Sequence, residues 1–246
     1  MRVLPRALLE LACVAVLSAC VTLQPNTKPA PQDPYERWNR GVYRFNDVLD
    51  RGVVKPVARA YLQVVPQFAR TGIGHFFANL HTPTVMVNDA LQGKGFAALS
   101  DLGRFLANTT FGIAGLLDPA THMGIQRNDE DFGQTLGKWG VHAGPFLELP
   151  LLGPSDMRDA PAKIVDIYTY PPTYLHSSRE KNSLWGLYFV DLRASLLSFD
   201  DAIKNAFDPY ALVRDAYLRR RAYLVSDGKV TDEEPLVDPE ADAPVP

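Results

Sequence analysis

The chain has 246 residues, with 25 lysines and arginines against 28 aspartates and glutamates, for a formal net charge of −3. That balance argues against nucleic acid as a partner, since nucleic-acid binders carry basic patches and a high pI. Hydrophobic residues at 46%, with 10% aromatic, describe a chain that folds around a core.

Residues 1–19 form a leader. Arg2 and Arg6 make a basic head, and residues 7–19 are almost all apolar or small. A basic start, a short apolar region and small residues before a cut describe a secretory signal. The apolar run is shorter than the roughly 20 residues that span a bilayer. Leu17-Ser18-Ala19-Cys20 resembles the lipobox of bacterial lipoproteins. The resemblance implies that the Cys20 thiol receives diacylglycerol, that cleavage makes Cys20 the first mature residue, and that its new amino group takes a further acyl chain. The plainer alternative is a cut near Ala19 with an incidental cysteine. Cys13 leaves with the leader, so Cys20 becomes the only cysteine and no intramolecular disulfide is available. Each buried methylene contributes about 0.8 kcal/mol, so one chain anchors marginally while two or three hold firmly. Val21 follows the cysteine rather than the aspartate that retains many Gram-negative lipoproteins at the inner membrane, which implies the outer membrane. Cleavage removes two positive charges and one negative, taking the net charge from −3 to −4.

Residues 20–32 hold "VTLQPNTKPAPQ", a polar, proline-rich stretch expected to form an extended tether. The body, 33–228, is expected to be all-α, with helices punctuated by proline. Asp33-Pro34, Thr82-Pro83, Asp118-Pro119 and Asp208-Pro209 each place a capping side chain before a proline, the pairing suited to a helix start. Tyr35, Trp38, Val42, Phe45 and Leu49 fall at spacings of 3 and 4 and predict one buried helical face, with Glu36, Arg37, Asn39, Arg40 and Arg44 on the wet side. Tyr188, Leu192, Leu196, Phe199 and Ile203 repeat the pattern, as do Tyr210, Val213 and Tyr217. Arg219, Arg220 and Arg221 are expected in a last helical turn, where the dipole or anionic headgroups favour them. Residues 140–155 contain too many glycines and prolines for a helix and predict a long loop or hairpin. No apolar run after residue 20 is long enough for a transmembrane helix. The tail, 229–246, carries six acids and four prolines, a composition expected to be disordered.

Catalytic signatures are mostly missing. His75, His81, His122, His142 and His176 show no metal-ligand spacing, and H-E-x-x-H does not occur. There is no G-x-S-x-G nucleophile elbow. Gly93-Lys94 lacks the rest of a phosphate-binding loop, and Asp131-Phe132-Gly133 stands without the other kinase motifs. The sequence therefore predicts no enzyme, no metal and no cofactor apart from the acyl groups on Cys20.

The blocks "DPYERWNRGVYRFNDVLD", "NLHTPTVMVNDALQGK", "RFLANTTFGIAGLLDPA", "DFGQTLGKWGVHAGPFLELPLLGPSDMRD" and "DPYALVRDAY" resemble, in order, those of the VacJ/MlaA lipoproteins. The resemblance covers about residues 33–226. It implies an outer-membrane lipoprotein whose helices form a ring in the inner leaflet around an amphipathic channel. It also implies association with trimeric porins and delivery of mislocalised phospholipid to a soluble periplasmic carrier. The family's channel-side hairpin maps onto Gly140 to Gly153. Phe45, Asn46 and Asp50 match the first block, and Asn46 and Asp50 either line the channel or brace neighbouring helices. Asn79 and Asn88 sit in apolar helical surroundings, where they either brace neighbouring helices, since a buried asparagine must be hydrogen-bonded, or line the lipid path. Phe146, Leu147, Leu149, Leu151 and Leu152 either pack a core or touch lipid. Two alternatives stand beside transport: an anchored porin-binding scaffold, and an envelope phospholipid hydrolase.

Overall fold

The computed structural model describes residues 30–229. Cys20, most of the tether and the tail beyond Lys229 lie outside the described residues. The elements run α1 (Glu36–Leu49), a π-helical turn (Asp50–Val54), α2 (Lys55–Val64), α3 (Gln67–Leu91), α4 (Gly95–Thr110) and the one-turn α5 (Pro119–His122). There follow α6 (Phe132–Lys138), strands β1 (Phe146–Leu149) and β2 (Gly153–Asp156), α7 (Asp159–Thr169) and a 3₁₀ turn (Pro171–Tyr174). The last described elements are α8 (Ser178–Ser195), a second 3₁₀ turn (Leu197–Phe199), α9 (Asp200–Lys204) and α10 (Pro209–Val225). The fold is all-α, with one small antiparallel hairpin in the segment expected to hold a loop or hairpin.

Two of the four proline starts cap helices. The Asp118 carboxylate accepts from the Thr121 N–H and that of Asp208 from the Ala211 N–H, each with proline in the next position. The other two do something else. Asp33 is fully buried, and its oxygens take bonds from Asn39, Tyr210 and Arg214 instead of capping α1. Thr82-Pro83 lies inside α3, where Pro83 removes one backbone bond but the helix continues. Contacts with α4, α6, α7 and α8 support it on several sides.

The main departure from expectation is the direction in which α1 faces. Tyr35, Trp38 and Phe45 are 47%, 52% and 41% exposed, and Val42 alone of the predicted stripe is buried. Asn39, expected on the wet side, is fully buried. Its Nδ2 donates to Asp33 Oδ1 at 2.7 Å and to the Phe146 carbonyl at 3.0 Å, while its Oδ1 accepts from the Glu148 N–H at 2.9 Å. Arg40 pairs with Glu36 on its own helix and with Asp208 at the start of α10. The second stripe is also broken. It crosses from α8 through the 3₁₀ turn into α9, and Leu192, Leu196 and Phe199 are exposed. The third holds: Tyr210 and Tyr217 set their rings edge-on against Phe146.

Arg219, Arg220 and Arg221 lie a turn before the end of α10 rather than in it, and no basic residue occupies the last turn. Arg221 points inward and bonds Asp131 at 2.6 and 3.0 Å. Asp131 in turn caps α6 through the Gln134 N–H at 2.8 Å. Asp131-Phe132-Gly133 is thus a helix start, and its glycine has a packing reason. A Cβ there would stand 2.4 Å from Asp159 Oδ1 and 2.8 Å from Arg221.

The interior as a whole is polar. Among the described residues, Phe146 is the one large apolar side chain that is fully buried, in the company of Asp33, Asn39, Thr84, Asn88, Asp89, Asp101, Gln134, Thr135, Ser155 and Asp156. No helix of the described residues is long and apolar enough to cross a membrane.

Because Asn39 fills three bonding positions at once, Asn39→Ala strands the Glu148 N–H and one oxygen of Asp33. Urea unfolding should register a loss of roughly 3 kcal/mol. An unchanged midpoint would show that water replaces the asparagine at no cost.

Candidate functional site

The hairpin pairs Phe146 with Asp156, Leu147 with Ser155, Glu148 with Pro154 and Leu149 with Gly153. Alternation then turns Phe146 and Glu148 inward and leaves Leu147 and Leu149 partly covered. At the tip Leu151 adopts φ 66°, a left-handed conformation that costs a non-glycine residue about 1 kcal/mol or more. Leu151 and Leu152 are 65% and 57% exposed there.

Asn46 fixes that tip from α1. Its Nδ2 donates to Glu148 Oε1 at 3.1 Å and to the Leu149 carbonyl at 3.0 Å, and its Oδ1 accepts from the Leu151 N–H at 2.8 Å. One side chain therefore holds both the strand end and the strained turn. Phe45, its neighbour, faces outward with the rest of the apolar side of α1.

The other asparagines and Asp50 make their bonds elsewhere. Asp50 receives two bonds from Arg193 of α8, at 2.7 and 2.8 Å, which ties the π turn to that helix. Asn79 donates to Thr109 at 2.9 Å and lies beneath Gly115, where a Cβ would come 2.6 Å from its own. Gly115 has φ 91° and follows Ile113 and Ala114, which are also left-handed. Asn79 is thus packed under an irregular turn. Asn88 donates to the Thr84 carbonyl and Asp166, and accepts from Thr135 at 2.8 Å. The hydrogen bonds of Asp50, Asn79 and Asn88 all brace neighbouring elements, while Asn79 Oδ1 is buried without a partner among the described residues.

Glu148 was not singled out in the sequence, although a lone acid within "FLELP" was its signal. It is 3% exposed, and its Oε2 has no hydrogen-bond partner among the described residues. Burial pushes its carboxyl up to about 7, against the opposing pull of the Asn46 bond and the Lys163 charge. Burial likewise raises Asp166 to about 6. Asp89 rises to about 7, through burial and the facing carboxyl of Asp101. No grouping of three or more histidines, cysteines or acids among the described residues is arranged to hold a metal ion.

Comparison with known proteins decides the family. The MlaA lipoprotein family model matches residues 31–224. The chain belongs to the MlaA lipoprotein family. It is 37% identical over 206 residues to an Escherichia coli protein named intermembrane phospholipid transport system lipoprotein MlaA, covering 82% of each. A Haemophilus influenzae protein of the same name is 32% identical over 204 residues, covering 81% of this chain and 82% of its own. A solved chain from work on the structural basis for maintenance of bacterial outer membrane lipid asymmetry superposes with a TM-score of 0.70 at 36% identity. That match covers 78% of this chain and 98% of the other. The hairpin, Asn46 and Glu148 all fall within the segment matched by the MlaA family model.

Two outcomes follow from this geometry. Asn46→Ala should free the hairpin tip, and amide exchange at Leu151 should speed by about tenfold or more, the consequence of losing bonds together worth over 1.4 kcal/mol. Protection retained at Leu151 would mean the turn holds itself. Glu148 supplies the second. Its native pKa lies above the ordinary 4.5, so its contribution is present below pH 4.5 and lost as pH rises through about 7. Glu148→Gln should therefore flatten the fall in unfolding free energy between pH 5 and 7.5, by up to about 3 kcal/mol. Identical slopes in variant and parent would exclude Glu148 as the titrating group.

Proposed function

We propose that this protein is an outer-membrane lipoprotein, anchored through acyl chains on Cys20, that takes mislocalised phospholipid from the outer leaflet and passes it to a soluble periplasmic carrier. The observation that carries this reading is the reversed distribution of polarity. Val64, Phe68, Phe96, Phe111 and Phe207 are among the most exposed side chains, while carboxylates and amides fill the interior. On α4 the exposed Phe96, Leu99, Leu102 and Leu106 form a continuous apolar stripe. Exposed apolar area on this scale marks a surface that meets protein or lipid rather than water.

The packing order supports the ring that the family resemblance implies. α1 touches the hairpin, the hairpin touches α7, and α7 touches α3. From α3 the contacts pass to α8, then α2, then through the π turn back to α1. Apolar helices lying flat in one leaflet, around a polar interior, give acyl chains an outer apolar face and headgroups a wet interior. That arrangement meets an energetic demand. Drawing a chain of about 16 carbons into water costs roughly 13 kcal/mol at 0.8 per methylene. A protein without a nucleotide site has to keep the tails in apolar contact throughout. Trimeric porins are the expected neighbours in the membrane, and the hairpin, with its exposed Leu151 and Leu152, is the expected gate. The named relatives are components of a transport system, which favours transport over hydrolysis.

Deletion of the gene should raise phospholipid on the cell surface, read by labelling the exposed headgroups. Cys20→Ala should fail to restore the parental level. Unchanged surface phospholipid on deletion would overturn the assignment. Purified protein devoid of lipid would favour a porin-bound scaffold, and release of lysophospholipid would favour a hydrolase.

A further inference from the structure

Beside the hairpin, α6, α7 and α10 surround a cavity of about 70 Å³ whose wall carries Asp131, Asp159, Lys163, Asp166, Tyr217 and Arg221. Its charges fall into two sets. Arg221 bonds Asp131 and pairs with Asp159, and Asp159 also accepts from Arg158 Nε at 2.7 Å, so these four answer one another. Tyr217 adds its hydroxyl to Asp159 at 2.8 Å. Lys163 and Asp166 make no ion pair within that network, although the Asp159 and Asp131 carboxylates act on the Lys163 charge and Arg221 acts on Asp166 from a distance. Lys163 Nζ donates to the Pro154 carbonyl of β2 at 3.2 Å, and among the described residues it makes no ion pair. Asp166 accepts from Asn88 Nδ2 and from the Phe132 N–H, and likewise faces no cation at ion-pair distance.

Three residues apart on α7, the two share one side of the helix. Both line the cavity, yet they do not meet. Partly buried charges of opposite sign ordinarily close on each other or on other partners, because leaving them desolvated and unpaired is costly. A ligand with both signs would answer both.

We propose that this cavity is a subsite for a zwitterionic phosphoethanolamine headgroup, its phosphate on Lys163 Nζ and its ammonium on Asp166. The inference rests on the reading of the protein as a phospholipid carrier and names the headgroup class it handles. Size excludes a tail: at about 10–15 Å³ for each water-sized sphere, the cavity takes roughly five heavy atoms, which seats the phosphate with its oxygens and leaves the two-carbon arm and its ammonium to meet the partly exposed Asp166. Donor capacity agrees too, since a lysine ammonium has three hydrogens and only one is engaged here. A purely anionic headgroup would meet the carboxylates of Asp131, Asp159 and Asp166 with Lys163 as the one base of the wall not in an ion pair. A zwitterion brings no net charge. The same helix supplies the place for the tails, because Ile164, Val165, Ile167 and Tyr168 are all exposed on its other sides.

The test uses full-length protein and two short-chain lipids kept below their micelle concentrations, dihexanoyl phosphatidylethanolamine and dihexanoyl phosphatidylglycerol, with inorganic phosphate as a third probe. Calorimetry should give about tenfold tighter binding of the ethanolamine lipid, the difference expected of one charge-assisted bond. Lys163→Gln should weaken both lipids by about tenfold, and Lys163→Arg should restore them. Asp166→Asn should weaken only the ethanolamine lipid and bring the two affinities together. Far-UV dichroism and Lys163→Arg guard against loss of fold, since Asp166 also bonds the start of α6. Equal affinity for both lipids in the parent, or selectivity surviving Asp166→Asn, overturns the subsite. So does phosphate binding as tightly as either lipid, which would mark a plain anion site. The transport reading is judged separately by surface phospholipid on deletion. If that rises while selectivity is absent, only the subsite falls.

Discussion

A polar interior is held together by the hydrogen bonds its buried groups can reach across the fold, and that constraint governs this structure. Apolar cores tolerate approximate packing, whereas a buried amide or carboxylate without a partner costs on the order of 1–3 kcal/mol. Here Asn39, Asn88, Asp33 and Asp156 sit where leucines would normally sit, and each spans two or more elements with its bonds. Asn39 alone ties the chain entry at Asp33 to α1 and to β1. The interior is thus held by directional bonds with few alternatives, and the apolar residues are released to the outside.

That release links stability to function. Once hydrogen bonds and ion pairs hold the helices, an exposed stripe such as Phe96 to Leu106 is free to face lipid without weakening the fold in water-filled regions. The hairpin follows the same logic. It is two short strands with little apolar cover beyond Phe146, a unit that would be marginal alone. Asn39 anchors its base and Asn46 its tip, so a segment with exposed leucines and a left-handed Leu151 is kept in one place. Glu148, between the two asparagines and with a carboxyl titrating near 7, makes that hold sensitive to pH.

Helices of this chain were legible because their local signals are strong. Asp118-Pro119 and Asp208-Pro209 are caps in sequence and in structure, and Tyr210 and Tyr217 meet Phe146 as their spacing requires. The glycines and prolines of 140–155 excluded a helix there, and a hairpin resulted. Asp33-Pro34 and Thr82-Pro83 have the same local form yet serve other ends. In the first, tertiary partners compete for the carboxylate. In the second, neighbouring helices carry α3 past its proline. The arginines of α10 were misjudged for a related reason: Arg221 answers acids on α6 and α7 that are far away in sequence.

By itself the sequence determined most of the helical segments, where the chain turns, and the family. These depend on composition and on spacing within a few residues. Which face of each helix points inward was decided by the tertiary structure alone. Periodicity shows that α1 has an apolar side and a polar side, but not which of them meets the solvent. In water the apolar side would be buried. In this chain Asn39 and Arg40 find partners across the fold, at Asp33, β1 and Asp208, so the polar side turns in and Tyr35, Trp38 and Phe45 turn out. The same holds for Lys163 and Asp166, whose meaning comes from a cavity assembled by three helices. Long-range partners set orientation, and orientation puts the apolar side of α1 on the surface of this protein.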